Sequence, residues 1–131
     1  MLTLPPSVRV FVYLGPADMR RSFDGLAAMT RDLIRQDPLS GHLFVFFNRR
    51  RDRVKILFWD RTGLVLWYKR LEAGVFTLPT ATNPHRSNVE MTWADVSLIL
   101  EGIDLSGAKR QRRFSLEDRG SGARNTQRRS T

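Results

Sequence analysis

The sequence predicts an α+β fold, a small antiparallel sheet of about four strands packed with two helices, followed by a disordered basic tail. Four short stretches are rich in β-branched and aromatic residues and are bounded by turn residues, as strands are. Two further stretches carry apolar residues at helical spacing. A chain of 131 residues is long enough for one hydrophobic core. We therefore predict a single domain over residues 8–105 and a tail over residues 106–131.

The first strand and the first helix are predicted from a change of period. Residues 8–13 alternate and are rich in valine and aromatic side chains, which indicates a strand. The apolar residues that follow have helical spacing and predict a helix over about 19–36. Its apolar face consists of Phe23, Leu26, Ala27, Thr30, Leu33 and Ile34. We expect Asp37 and Pro38 to end the helix, because the residue before proline avoids the α region.

The next three strands are predicted to include a hairpin. Residues 42–48 are continuously apolar, which is typical of a central strand. Residues 53–60 and 64–71 form the two arms of the hairpin. Asp60 before the loop and Gly63 at its end favour a type I turn closed by a glycine bulge.

A second helix is predicted after an irregular connection over residues 72–88. This helix covers about 93–102, with Thr92 as its N-cap and Asp95 in a weak capping box. Gly102 is expected to end this helix. We expect both helices to cover the same face of the sheet.

If residues 61–63 form the loop of the hairpin, Asp60 lies opposite Leu64. Because side chains alternate between the two faces of a strand, this pairing determines which residues share each face of the hairpin. The core face would hold Val54, Ile56, Phe58, Leu66, Tyr68 and Arg70. Against it we expect to find Phe23, Leu26 and Leu33. The outer face would hold Arg53, Lys55, Leu57, Trp59, Val65, Trp67, Lys69 and Leu71.

On this outer face Lys55 would lie directly opposite Lys69. Like charges in that position destabilise a sheet, by roughly 0.2–1 kcal/mol. The pair is better suited to an external phosphate, so its neutralisation should weaken DNA binding without lowering stability. The alternative is an ordinary solvated cationic face, with the tryptophans packed under a helix instead of stacked on bases. The candidate nucleic-acid-binding residues are Arg49, Arg50, Arg51, Arg53, Lys55, Trp59, Trp67, Lys69 and Arg70.

The net charge of +9 is typical of proteins that bind polyanions. Much of this charge lies in residues 106–131, where eight Lys and Arg residues are balanced only by Glu117 and Asp118. Phe114 and Leu116 are the only large apolar residues of this tail. We predict that the tail is disordered, because it cannot bury enough apolar surface to offset its ordering entropy.

The composition also excludes several classes of site. There is no cysteine, which excludes disulfides, thiolate zinc sites and cysteine nucleophiles. No signal-peptide-like segment or run of about 20 apolar residues is present, so a cytoplasmic protein is expected. His42 and His85 are far apart in the sequence. We expect no cofactor and no metal.

A metal-dependent nuclease is the catalytic alternative, because carboxylate oxygens bind hard cations. The carboxylates that could contribute are Asp18, Asp60, Glu72 and Asp104. Structural roles are available for all of them except Glu72. Asp60 can serve a turn, Asp18 can lie at a helix N-terminus and Asp104 ends a helix.

Several motifs occur in a specific order: DMR followed by FDGL, then SGHLFVF, DRVK and YKRLE. In this respect the chain resembles the TnpB-type accessory proteins, the second-reading-frame products of the sixty-sixth bacterial insertion-sequence family, over residues 8–105. Asn48 and the long basic tail depart from the family pattern. The pattern covers Asp18, Met19, Arg20, Phe23, Asp24, Gly25, Ser40, Gly41, His42, Arg53, Val54, Lys55, Trp59, Asp60, Tyr68, Lys69, Arg70, Leu71 and Glu72.

The resemblance implies a non-catalytic role in transposition beside a separate transposase, and it supplies no catalytic residues. The expected partners are DNA and the transposase or other proteins of the same element. A protein-interaction adaptor without direct DNA binding, and a metal-dependent nuclease, remain as alternatives.

Overall fold

The computed structural model describes residues 4–79, 85–104 and 109–110 of the chain. The elements in chain order are β1 (Val10–Pro16), α1 (Phe23–Met29), a π-helical turn (Thr30–Ile34), β2 (Leu43–Phe47), β3 (Arg53–Asp60), β4 (Gly63–Arg70), β5 (Asn88–Met91), α2 (Trp93–Leu100), β6 (Ile103–Asp104) and β7 (Lys109–Arg110). These elements confirm the α+β fold class.

The main sheet has five strands in the order β4-β3-β2-β1-β5. It is mixed rather than antiparallel, because β1 and β2 are parallel and α1 forms the crossover between them. The other neighbouring strands are antiparallel. β5, which pairs with β1, was not predicted from the sequence. Its four residues include Asn88 and Glu90, so they lack the apolar run that marks the other strands.

The two helices lie on opposite faces of the sheet, and the expectation that they share one face is wrong. The α2-side core consists of Val10, Val12, Leu43, Val45, Phe47, Val54, Ile56, Phe76, Val96, Ile99 and Leu100. The α1-side core consists of Phe11, Ala17, Leu26, Ala27, Met29, Ile34, Phe44, Phe46 and Leu57. All five residues of β2 are buried. Burial from both sides explains why β2 is continuously apolar instead of alternating.

The buried face of α1 differs from the predicted one. Leu26 is fully buried in the α1-side core, but Phe23 and Leu33 are 43% and 42% exposed. Ile56 and Phe58, their expected partners, belong to the α2 side. Leu57 and Leu66, on the other hand, do lie on the α1 side with Leu26.

The π-helical turn accounts for the exposure of Leu33. A π turn holds more residues than an α turn, so the positions after Thr30 rotate away from the α-helical period. Ile34 stays in the core, as predicted, whereas Leu33 turns toward solvent. The helix ends at Ile34, where Arg35 adopts a left-handed conformation with φ 65°, before the expected stop at Asp37.

Helix α2 begins at Trp93 as the sequence predicts and ends at Leu100, two residues before the predicted end. The Oγ1 of Thr92 accepts a hydrogen bond of 3.1 Å from the backbone N–H of Asp95. Gly102 follows the helix with φ 85°, a conformation that favours glycine.

Replacing Thr92 by Ala should therefore lower the free energy of unfolding by about 0.5–2 kcal/mol, because it removes the oxygen that caps α2. Denaturant unfolding measures the change. Thr92→Ser keeps that oxygen and should stay close to the wild type. An equal loss in both variants would contradict the capping role.

No helix among the described residues is long and apolar enough to cross a membrane. Of the predicted disordered tail, only Lys109 and Arg110 belong to the described residues, and they pair with Ile103 and Asp104. The rest of the tail lies outside what the structure describes, so its disorder stays a prediction.

Candidate nucleic-acid interface

The β3–β4 hairpin has a different register from the predicted one. Asp60 pairs with Gly63, so the loop consists of two residues, Arg61 and Thr62. Arg61 takes the positive φ of 44° that this short loop requires. A shift of one residue moves every side chain of a strand to the other face. All side chains of β4 therefore face opposite to the prediction.

The predicted Lys55–Lys69 pair is consequently wrong. Lys55 pairs with Tyr68 on the α1 side of the sheet, whereas Lys69 pairs with Val54 on the α2 side. The two ammonium groups are on opposite faces, so Lys55 and Lys69 do not repel each other as cross-strand neighbours.

Lys55 is a buried residue with an internal role, since only 6% of it is exposed. Its Nζ donates hydrogen bonds of 2.8 Å to the backbone carbonyls of Met19 and Arg21. The same Nζ lies 4.7 Å from the centroid of the Tyr68 ring. Lys55 thus fastens the segment that leads into α1 to the middle of the hairpin.

Lys69 has a similar role on the other face. Its Nζ donates a hydrogen bond of 2.8 Å to the carbonyl of Leu100, the last residue of α2. A cation at this position also stabilises the negative end of the helix dipole.

The two tryptophans also lie on opposite faces. Trp67 pairs with Ile56 and packs against the α2-side core, in agreement with the alternative that it packs under a helix. Trp59 is half-buried near the hairpin loop, where it pairs with Leu64. They do not form a common stacking surface.

Five arginines are brought together where the β2–β3 turn meets the end of β4. Arg53 pairs directly with Arg70 across the hairpin, and the other three belong to the turn. The backbone carbonyl of Asp52 accepts a hydrogen bond of 2.8 Å from Leu71, which joins the turn to the end of β4. We call this group the arginine end: Arg49, Arg50, Arg51, Arg53 and Arg70.

Asn48 builds the turn that carries the arginines. Its Oδ1 accepts hydrogen bonds of 3.0 Å from the backbone N–H groups of Asp52 and Arg53. Its Nδ2 donates a hydrogen bond of 2.7 Å to the carboxylate of Asp52. This side-chain bond is the main reason that the pKa of Asp52 lies below its usual value, ahead of the nearby Arg50.

Tyr68 lies beside the arginine end on the α1 side of the sheet. The residue is 47% exposed. Arg53 donates a hydrogen bond of 2.8 Å to the Tyr68 hydroxyl, and this bond raises the pKa of Arg53. Arg70 forms an ion pair of 3.0 Å with Glu72. Sequence reasoning did not include Tyr68 in the interface because the incorrect register placed it in the core.

The first family motif forms a small network before α1. Asp18 accepts three hydrogen bonds from the Arg20 guanidinium and one from the Arg20 backbone N–H. The side-chain bond is the main cause that lowers the pKa of Asp18 to about 2. Gly25 leaves room for Arg21, whose Cβ would lie 3.1 Å from any Cβ at position 25. Asp24 is exposed in the first turn of α1.

The second family motif shapes the entry to β2. Gly41 adopts φ 90°, a left-handed conformation that favours glycine. The Nδ1 of His42 accepts a hydrogen bond of 3.0 Å from the backbone N–H of Arg9, and its ring lies 6.0 Å from that of Phe11. His42 therefore has a structural role.

The candidate nuclease carboxylates have separate local surroundings. Asp18 forms an ion pair with Arg20, and Glu72 forms one with Arg70. Asp60 is the last residue of β3, at the hairpin loop. The side chain of Asp104 is not described. Among the described residues, no three His, Cys, Asp or Glu side chains are grouped so that they could hold a metal ion.

Comparison with known proteins identifies a protein family whose model matches this chain. The model of the family described as IS66 Orf2 like protein matches residues 8–110. The chain is 34% identical over 104 residues to uncharacterized protein y4jC of Sinorhizobium fredii (strain NBRC 101917 / NGR234), covering 79% of this chain and 86% of that protein. It is 36% identical over 104 residues to uncharacterized protein y4hO of the same strain, covering 79% and 88%. No solved structure matches significantly.

Proposed function

This chain belongs to the family of IS66 Orf2-like proteins, and we propose that it supports insertion-sequence transposition by binding the DNA of the element through its arginine end. The family supports an accessory role in transposition. In the proposed division of labour, a separate transposase cuts and joins the DNA, and this protein contributes binding without catalysis.

The arginine end is the observation that carries this proposal. Guanidinium groups bind phosphate oxygens in a bidentate manner and are always charged. Within the described part of the chain, Arg49, Arg50, Arg51 and Arg53 form no ion pair with a carboxylate, and Arg49 and Arg50 are exposed. The exposed guanidinium groups of Arg49 and Arg50 are therefore accessible to a phosphate backbone, whereas the ammonium groups of Lys55 and Lys69 are occupied by hydrogen bonds to backbone carbonyls.

The double variant Arg49→Gln, Arg50→Gln should bind duplex DNA more weakly and with a shallower salt dependence. Each phosphate contact contributes a slope of about 0.9 in log K against log salt, so the slope should fall by about two contacts' worth. The loss should be similar for unrelated sequences, because backbone contacts do not read bases. Fluorescence anisotropy over a salt series on the full chain measures both quantities.

The matched control is Arg31→Gln, Arg86→Gln, which removes the same charge from two exposed positions near the other edge of the sheet. Ser87, next to Arg86, donates a hydrogen bond to the carbonyl of Leu33, in the same π-helical turn as Arg31. An identical loss in both double variants would show that net charge alone binds DNA. An unchanged slope in the arginine-end variant would contradict direct binding at this site.

An adaptor that binds the transposase is the second candidate, and the open edge of the sheet favours it. β4 is an edge strand of eight residues, and no described residue pairs with the backbone on its outer side. Exposed edges of this length pair readily with a strand of another protein. A nuclease-treated pull-down with the transposase of the same element tests this function: retention of the transposase without DNA would favour the adaptor.

A further inference from the structure

We propose that Tyr68 is a stacking platform for an unpaired base, so that the DNA bound beside the arginine end is single-stranded. This inference rests on the proposed function, because it assumes that the arginine end holds phosphates. It goes further in stating which form of DNA is bound and which residue distinguishes it.

The Tyr68 ring is held in place from two directions. Lys55 Nζ lies 4.7 Å from the ring centroid, and it is itself fixed by the carbonyls of Met19 and Arg21. Arg53 holds the hydroxyl at 2.8 Å. Although it is fastened in this way, Tyr68 remains 47% exposed. An exposed ring whose orientation is already fixed loses little conformational entropy when a base stacks on it.

Within the described structure, the two cations that contact Tyr68 form no ion pair with a carboxylate. Lys55 donates to two neutral carbonyls and Arg53 to a phenol, and neither belongs to an ion pair. Lys55 and Arg53 therefore make the immediate surroundings of the ring positive, and the next residue outward on the same side of β4 is Arg70, which is paired with Glu72. A nucleotide stacked on Tyr68 would place its phosphates close to these guanidinium groups.

This combination fits a single strand better than a duplex. The base faces of a duplex are covered by their neighbours, so a protruding ring gains nothing from them. A single strand exposes its bases, and an aromatic side chain flanked by basic residues binds them with little sequence preference.

The test compares a labelled oligonucleotide of roughly 16 nucleotides with the duplex of the same sequence, by anisotropy at constant salt. The wild type should bind the single strand more tightly. Tyr68→Ala should weaken single-strand binding by about five-fold to a hundred-fold, as expected for the loss of one stacked base, and weaken duplex binding much less. Tyr68→Phe keeps the ring and should retain most of the single-strand affinity.

Two further variants act as controls. Tyr68→Leu keeps an apolar side chain on β4 and removes the ring, so it should behave as Tyr68→Ala does even if the alanine variant folds poorly. Leu98→Ala removes an apolar side chain of comparable exposure, 39%, from the α2 side and should change neither affinity. Thermal unfolding confirms that each variant is folded.

The outcomes separate this inference from the function on which it rests. If both Tyr68→Leu and Tyr68→Ala bind single strands as well as the wild type does, or lose single-strand and duplex affinity equally, stacking is wrong and DNA binding stands. A wild type that prefers duplex also overturns the inference. A wild type that binds neither form removes the proposed DNA-binding function itself.

Discussion

Replacing Lys55 by Met is expected to destabilise the protein by about 2–5 kcal/mol. The variant keeps the aliphatic length of the side chain and loses two charge-assisted hydrogen bonds, each worth roughly 1.5–3 kcal/mol. It also leaves the carbonyls of Met19 and Arg21 without their buried donor. Urea unfolding measures this loss, which is opposite to what a surface pair of repelling lysines would give.

The matched control is Lys69→Met, which removes one hydrogen bond from an ammonium group to a backbone carbonyl, whereas Lys55→Met removes two. Lys69 is only half-buried and donates to Leu100 alone, so the expected loss is smaller, about 1–2 kcal/mol. A gain of stability in either variant would contradict the structural role of that lysine and bring back the anion-binding interpretation.

Replacing Leu26 by Ala is expected to cost about 2–5 kcal/mol, the range for a core truncation that leaves a cavity. Leu26 has no exposed surface and lies in the α1-side core with Phe44 and Leu57. The free energy of unfolding from urea or guanidinium titration provides the measurement.

Leu33→Ala makes the comparison specific to the face of the helix. Leu33 was expected to share the buried face with Leu26, but it is 42% exposed after the π-helical turn. Its truncation should therefore change stability by only about 0.5 kcal/mol, as surface substitutions usually do. Equal losses at the two positions would mean that the helix continues with α-helical period through Leu33.

Local patterns predicted individual elements better than they predicted how those elements pair. The bounds of β3 match the prediction because its alternation and its flanking turns are both explicit in the sequence. The cap at Thr92 was likewise predicted from residues that lie next to each other. β5 was missed because its pairing depends on β1, almost eighty residues earlier, and no local signal reveals such a partner.

The candidate site depended on a single ambiguity in the hairpin loop. Gly63 can either close a three-residue loop as a bulge or begin β4, and positive φ at an arginine is the less common choice. The structure uses Arg61 for the positive φ. That choice exchanges the two faces of β4. Tyr68 and Arg70 therefore lie on the same face as Arg53, and Lys69 lies on the α2 side. The arginines of the turn were not affected by this choice.

The position of β1 inside the sheet also determines the order in which the chain can fold as it is synthesised. β1 receives its parallel neighbour once β2 has emerged, but its other side stays unpaired until residue 91 is available. The same delay applies to α2, so one apolar face of the nascent sheet remains uncovered. Until then the unfinished chain exposes both an unpaired strand edge and an apolar surface, and this combination promotes aggregation. A chain truncated before β5 would retain both exposures permanently.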